Sequence, residues 1–158
     1  MNIHIMPVRQ FLQLDNLPVA SAAIISSSEY LDASKIPIPF AYADYMDFDY
    51  ESPRSFTELQ ASEFSEFIKS MKHNVTDLFV CCDAGESRSP AIAAAIHRWL
   101  GQHDHHIWRN PKYHPNVLCF KRMADAFDIQ VADEEIDTLI YTNRTAFALA
   151  KQKIVADL

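Results

Sequence analysis

Short apolar runs alternate with longer stretches of helical period along this chain. That alternation is what βαβ units with a mostly parallel sheet produce. Asn2 to Met6 reads as a first strand closed by Pro7, followed by a short helix through Arg9 to Leu14. Ala22 to Ser26 reads as a second strand that runs into a serine-rich turn. Ile36 to Tyr42 is a weaker extended segment, because Pro37 and Pro39 cannot donate to a ladder and confine it to a sheet edge. Residues 43–55 form an acidic, aromatic loop.

A helix is expected from about Phe56 to Lys72, with Ser55 and Glu58 at capping-box spacing and Leu59, Phe64, Phe67, Ile68 and Met71 as its apolar face. Asp77 to Cys82 is short and nearly all apolar, the pattern of a central strand buried on both faces. The next helix has Ser89 as N-cap, Pro90 at its first position and Gly101 at its C-terminal cap. Its residues Ala91 to Ile96 are apolar all round, so it belongs inside. Helical patterns resume from Asn116 to Phe127 and from Asp133 towards Leu158. The expected fold is thus a single α/β domain over residues 1–158: a mostly parallel central sheet flanked by helices, with 129–158 as a C-terminal helical extension.

Composition narrows the class. With 158 residues, 49% hydrophobic and 22% charged, the chain can bury one good core. No apolar stretch is long enough to span a membrane, and Met1 to Gln10 lacks the features of a signal peptide, so cytoplasmic residence is the default expectation. Three cysteines, two of them adjacent, make a poor disulfide framework. A net charge of −7 argues against nucleic-acid and anionic-membrane surfaces, so an anionic ligand needs a local positive site.

Residues 81–90, Cys-Cys-Asp-Ala-Gly-Glu-Ser-Arg-Ser-Pro, supply that site. A thiol ending a buried strand, a tight loop and a helix N-terminus together make a nucleophile in an anion cradle. The backbone N–H groups from Asp83 through Ala84, Gly85, Glu86 and Ser87 to Arg88 form a nest, and the dipole of the following helix adds positive potential. Gly85 permits the tight turn. Arg88 offers a bidentate fork to two phosphate oxygens. Such surroundings favour the thiolate, so Cys82 is the expected nucleophile, with Ser89 donating its hydroxyl to the sulfur when it departs.

The segment resembles the active-site loop of the protein tyrosine/dual-specificity phosphatase superfamily. It is most similar to small bacterial and phage predicted tyrosine phosphatases, in which an Ala-Gly-x-Ser-Arg-Ser core precedes an alanine-rich helix. Tyr113 to Val117 (Tyr-His-Pro-Asn-Val) is a second, looser match, and the likeness extends over roughly residues 1–128. The resemblance implies Cys82 as nucleophile, Arg88 as phosphate-binding arginine, Ser89 as the assisting hydroxyl, and no cofactor or metal. It also implies a general acid upstream, for which Asp44, Asp47 and Asp49 are the candidates in that order. One departure stands out: Cys81 occupies the place where the family usually has histidine.

The expected substrate is a phosphorylated protein, with a small phosphomonoester or nucleotide as the alternative. A non-catalytic phosphate-binding module on the same fold is the reading from a different class. His103, His105, His106 and His114, with Asp104 among them, fall at no spacing typical of zinc sites, and a solvated loop is expected over 102–115. His97 is expected as a hydrogen-bonded core histidine, Trp99 and Trp108 as packing residues, and Cys119 as a small core residue.

Overall fold

In the computed structural model, which describes residues 1–158, four strands form one all-parallel sheet in the order β1-β4-β2-β3. They are β1 (Asn2–Pro7), β2 (Ser21–Ser27), β3 (Phe40–Asp44) and β4 (Asp77–Cys82). The helices are α1 (Val8–Phe11), α2 (Glu58–Met71), α3 (Arg88–Trp99), α4 (His105–Trp108), α5 (Val117–Ala126) and α6 (Asp133–Ala156). The single α/β domain read from the alternation is what the chain forms. No helix is long and apolar enough to cross a membrane.

The sheet has two unequal faces. Leu78 and Val80 of β4, with Ala22 and Ile24 of β2, look into a core of 25 buried residues shared with α2, α3, α5 and the start of α6. Phe79 and Cys81, with Ala23 and Ile25, look the other way into a cluster of 6, closed by Phe11 of α1 and Ile36. β4 is therefore covered on both sides, which is why it carries no alternation. Neighbours on a strand face opposite ways, so Cys81 belongs to the small cluster and away from the face of Cys82.

Several boundaries differ from expectation. The third strand begins at Phe40, not Ile36: Pro39 contributes its carbonyl to Ala23 N–H (3.0 Å), and pairing starts where N–H groups become available. It lies at the sheet edge, and its last residue is Asp44, a strand end instead of a loop residue. The following helix starts at Glu58, capped by Thr57 with Gln60, not by Ser55 with Glu58. Ser55 is instead buried and donates to Tyr50 O (2.6 Å), while Phe56 anchors in the core. Leu59 is exposed, and Ala61 takes its place on the buried face.

α3 begins two residues earlier than its sequence suggests. Ser87 is the N-cap, and Ser89 and Pro90 lie inside the first turn, where Pro90 costs no helical hydrogen bond. The stop is as expected, with Leu100 the cap and Gly101 at φ +72°. The 102–115 segment is not a solvated loop: Ile107 and Trp108 are buried, and Asp104 accepts from Arg98 Nε and Trp108 Nε1 (2.8 and 2.9 Å). His97 is half-buried and bonded to Gln102 (2.8 Å). Ile136 and Leu139 make the first half of α6 part of the main core, and only its second half stands out from the body.

Candidate active site

β4 brings Cys82 to the carboxyl edge of the sheet, and the chain turns through residues 83–87 into α3. The turn is dictated by Gly85. It has φ +71°, and a Cβ there would lie 2.7 Å from Pro7 N and 2.8 Å from Met6 C, in the backbone at the end of β1. Only glycine fits, for both conformation and space. With the loop folded tightly against β1, Gly85 N–H points at Cys82 Sγ (3.2 Å). Ser89 Oγ lies 3.1 Å from the same sulfur. Ser89 is fully buried, and its hydroxyl meets the sulfur instead of capping the helix as expected.

Arg88 is buried at the mouth of the loop. Its Nη1 donates to Tyr45 O and its Nη2 to Asp83 Oδ2, each at 2.8 Å. The buried Nε–H has no acceptor. A buried donor without a partner costs free energy, and a ligand acceptor would relieve it. Tyr45, itself buried, donates to Ser26 Oγ (2.7 Å); burial, then the neighbouring Cys119, pushes its phenol well up, so it stays protonated.

Asp83 enters the site through its side chain as well as its backbone. Oδ1 accepts from Ser27 Oγ, and Oδ2 accepts from Ser28 N and Oγ (3.1 and 3.0 Å) as well as from Arg88. Burial pushes this carboxyl up, but the bonds from Ser27, Ser28 and Arg88, with the arginine's charge, outweigh it and hold it below its ordinary value. The serine-rich turn after β2 is thus the anchor of the loop's first residue. No family model matches the chain, and no curated protein does.

The three candidate acids fall in different places. Asp47 Oδ1 accepts from Ser87 Oγ and from Asn116 Nδ2, both at 2.8 Å, which ties it to the cysteine loop. Asp44 is exposed at the end of β3, paired in register with Ser27, and its carboxylate makes no hydrogen bond. Asp49 is exposed and also unbonded. Of the three, Asp47 is the one bonded to the cysteine loop. Asn116 also donates to Phe48 O (3.0 Å) and N-caps α5 through Cys119 N (3.0 Å), a role in the site visible in sequence only as the proline-asparagine step.

The segment before α5 braces the loop from outside, with His114 N donating to Glu86 O (2.8 Å) and Asn116 N to Ser87 O (3.1 Å). Ala84 and Glu86 are exposed at the rim. The histidines meet only in pairs, His97 with His106 and His103 with His105, and no group of three or more His, Cys, Asp or Glu side chains is placed to hold a metal ion. Burial, then the adjacent Cys82, pushes the Cys81 thiol up; burial chiefly does the same for Cys119.

Proposed function

We propose that this chain hydrolyses phosphomonoesters through a cysteinyl-phosphate intermediate, as a phosphatase of the protein tyrosine or dual-specificity kind. The observation that carries the reading is the pairing of a nucleophile with an unfilled donor. Cys82 Sγ sits among Gly85 N–H and Ser89 O–H at the start of α3, and the buried Nε–H of the adjacent Arg88 lacks an acceptor. A phosphoryl oxygen supplies that acceptor, and the helix N-terminus and loop amides favour its charge.

In the first step the Cys82 thiolate attacks phosphorus; the S–P bond forms as the ester P–O bond breaks. The leaving oxygen takes a proton from Asp47, whose Oδ1 is held by Ser87 and Asn116 while Oδ2 is free to carry it. In the second step a water loses its proton to the same carboxylate and attacks phosphorus. The S–P bond breaks, the sulfur leaves as thiolate hydrogen-bonded by Ser89, and inorganic phosphate is released. Arg88 and the loop N–H groups bind the equatorial oxygens throughout, and no metal or cofactor enters either step.

The deciding assay is hydrolysis of an aryl phosphate by the wild-type chain and by Cys82→Ser, with and without chelator. Turnover lost in Cys82→Ser and indifferent to chelator supports the mechanism; turnover that survives the substitution refutes it. No turnover by the wild type, with phosphate or vanadate still bound, points instead to the non-catalytic module, a reading that Cys81 in the usual histidine position favours.

A further inference from the structure

Resting on the phosphatase reading, we propose that the substrate is a phosphorylated peptide segment flanked by lysine or arginine, because the cradle accepts one phosphoryl group inside a rim of carboxylates. The cradle itself is nearly neutral apart from its helix: Asp83 already pairs with Arg88. Asp47 is bonded to the loop at Ser87, and Glu86 projects from the loop into solvent. Asp44 stands beside Ser27, the residue that holds Asp83. Both Asp44 and Asp83 act on one side chain: burial first, then these two carboxylates, raises the Tyr42 phenol.

Two grooves border the loop, one at Asp83 and one at Gly85 and Glu86. One is bordered by Asp83, Glu29, Arg9 and Leu12. The other is bordered by Glu86, Lys112, His114 and Gln10. With Asp83 spent on Arg88, Glu29, Glu86 and Asp44 still outnumber Arg9 and Lys112, and the whole chain carries −7. A single phosphoryl dianion has the unfilled Arg88 Nε–H and the start of α3 to satisfy it. Any further anion attached to it meets like charge at the rim, so polyphosphates, inositol polyphosphates and acidic peptides are disfavoured. A basic flank in either groove gains the opposite sign of the same interaction. Grooves at both Asp83 and Glu86 give a peptide, unlike a small ester, surface to contact beyond its phosphoryl group.

The test uses the full chain and three phosphotyrosine peptides identical except for Lys/Arg, neutral or Asp/Glu flanks, beside an aryl phosphate, a nucleoside monophosphate and an inositol polyphosphate. We expect kcat/KM for the basic peptide to exceed that for the acidic one by about tenfold at low salt, mainly through KM, with the gap shrinking as salt rises. The double variant Glu29→Gln, Glu86→Gln should cut the basic-to-acidic ratio severalfold, a ratio that cancels any change in the chemistry common to both. Equal rates, an acidic preference, or faster turnover of the nucleotide or inositol polyphosphate overturns the proposal while aryl-phosphate turnover leaves the phosphatase reading standing. If the aryl phosphate itself is not hydrolysed, the phosphatase reading fails separately. Affinity of Cys82→Ser for the same peptides then decides the matter: tighter binding of the basic peptide sustains the preference, and equal or reversed affinities overturn it.

Discussion

Asp83 and Arg88, at the two ends of the cysteine loop, are joined by an ion pair of 2.8 Å. The pair spans the loop as a strut. Ser27 and Ser28 hold the carboxylate from β2, and Tyr45 O holds the guanidinium from the end of β3. The loop between β4 and α3 is therefore fastened to the ends of β2 and β3, and its arginine has a fixed place before any ligand arrives.

Asp83→Asn should weaken that strut without removing volume. With its NH2 on the Oδ2 side the amide faces the Ser28 N–H and Arg88; with its NH2 on the Oδ1 side the Ser27 hydroxyl can turn to accept, but the charge opposite Arg88 is still lost. We expect a loss of about 1–3 kcal/mol in urea denaturation at pH 7. The pH dependence follows from the lowered pKa of Asp83. Its stabilising contribution is complete above the unfolded carboxylate value of roughly 4 and is lost as pH falls through the lower folded value. The gap between wild type and variant should accordingly narrow only below about pH 4; a gap constant to lower pH would show that Asp83's ionisation contributes nothing.

Gly85 and Gly101 share a left-handed backbone and differ in surroundings. At Gly85 a Cβ meets the backbone of Met6 and Pro7 below 3 Å; at Gly101 nothing lies within 4 Å. Gly101→Ala should cost about 1 kcal/mol, the conformational penalty alone. Gly85→Ala adds a backbone clash and should cost more than about 2 kcal/mol, with loss of phosphate or vanadate binding. Comparable destabilisation of the two variants would mean that β1 yields and the contact is unimportant.

The acid should reveal itself through leaving groups. Asp47→Asn removes the carboxyl that the loop holds, and phenyl phosphate turnover should fall by about 10²–10³-fold, with much less effect on a nitrophenyl ester that leaves without help. Asp44→Asn and Asp49→Asn should stay within a few fold on both. If Asp44→Asn instead shows the leaving-group-dependent loss, the strand end supplies the proton and Asp47 only buttresses Ser87.

What could be read in advance follows the range of the interactions. β4, α3 and their loop are written in local signals, an apolar run, Gly85 and the alanine face, and they appear where expected except that α3 starts two residues early. The β3 boundary moved because two prolines set where pairing begins, and the α2 start moved because buried Phe56 fixes the entry of the chain. Ser89 has the composition of a cap but is buried against a sulfur, which only the packed loop reveals. Asp47 could not be singled out from its neighbours because its partner Asn116 lies 69 residues away. The anchoring of Asp83 by Ser27, 56 residues upstream, was hidden for the same reason.

Asn116 combines two duties that substitutions can separate. Its Oδ1 caps α5 at Cys119 N, and its Nδ2 donates to Asp47 and Phe48 O. Asn116→Ala loses the cap and both donors, Asn116→Ser only the donors. Serine should therefore recover about 1 kcal/mol of stability over alanine. Activity should not follow. Asp47 is left in both variants with Ser87 as its remaining partner, so turnover of phenyl phosphate should be depressed equally, by about tenfold. Activity that tracked stability, higher in the serine variant than in the alanine one, would assign Asn116 to α5 alone and remove it from the positioning of the acid.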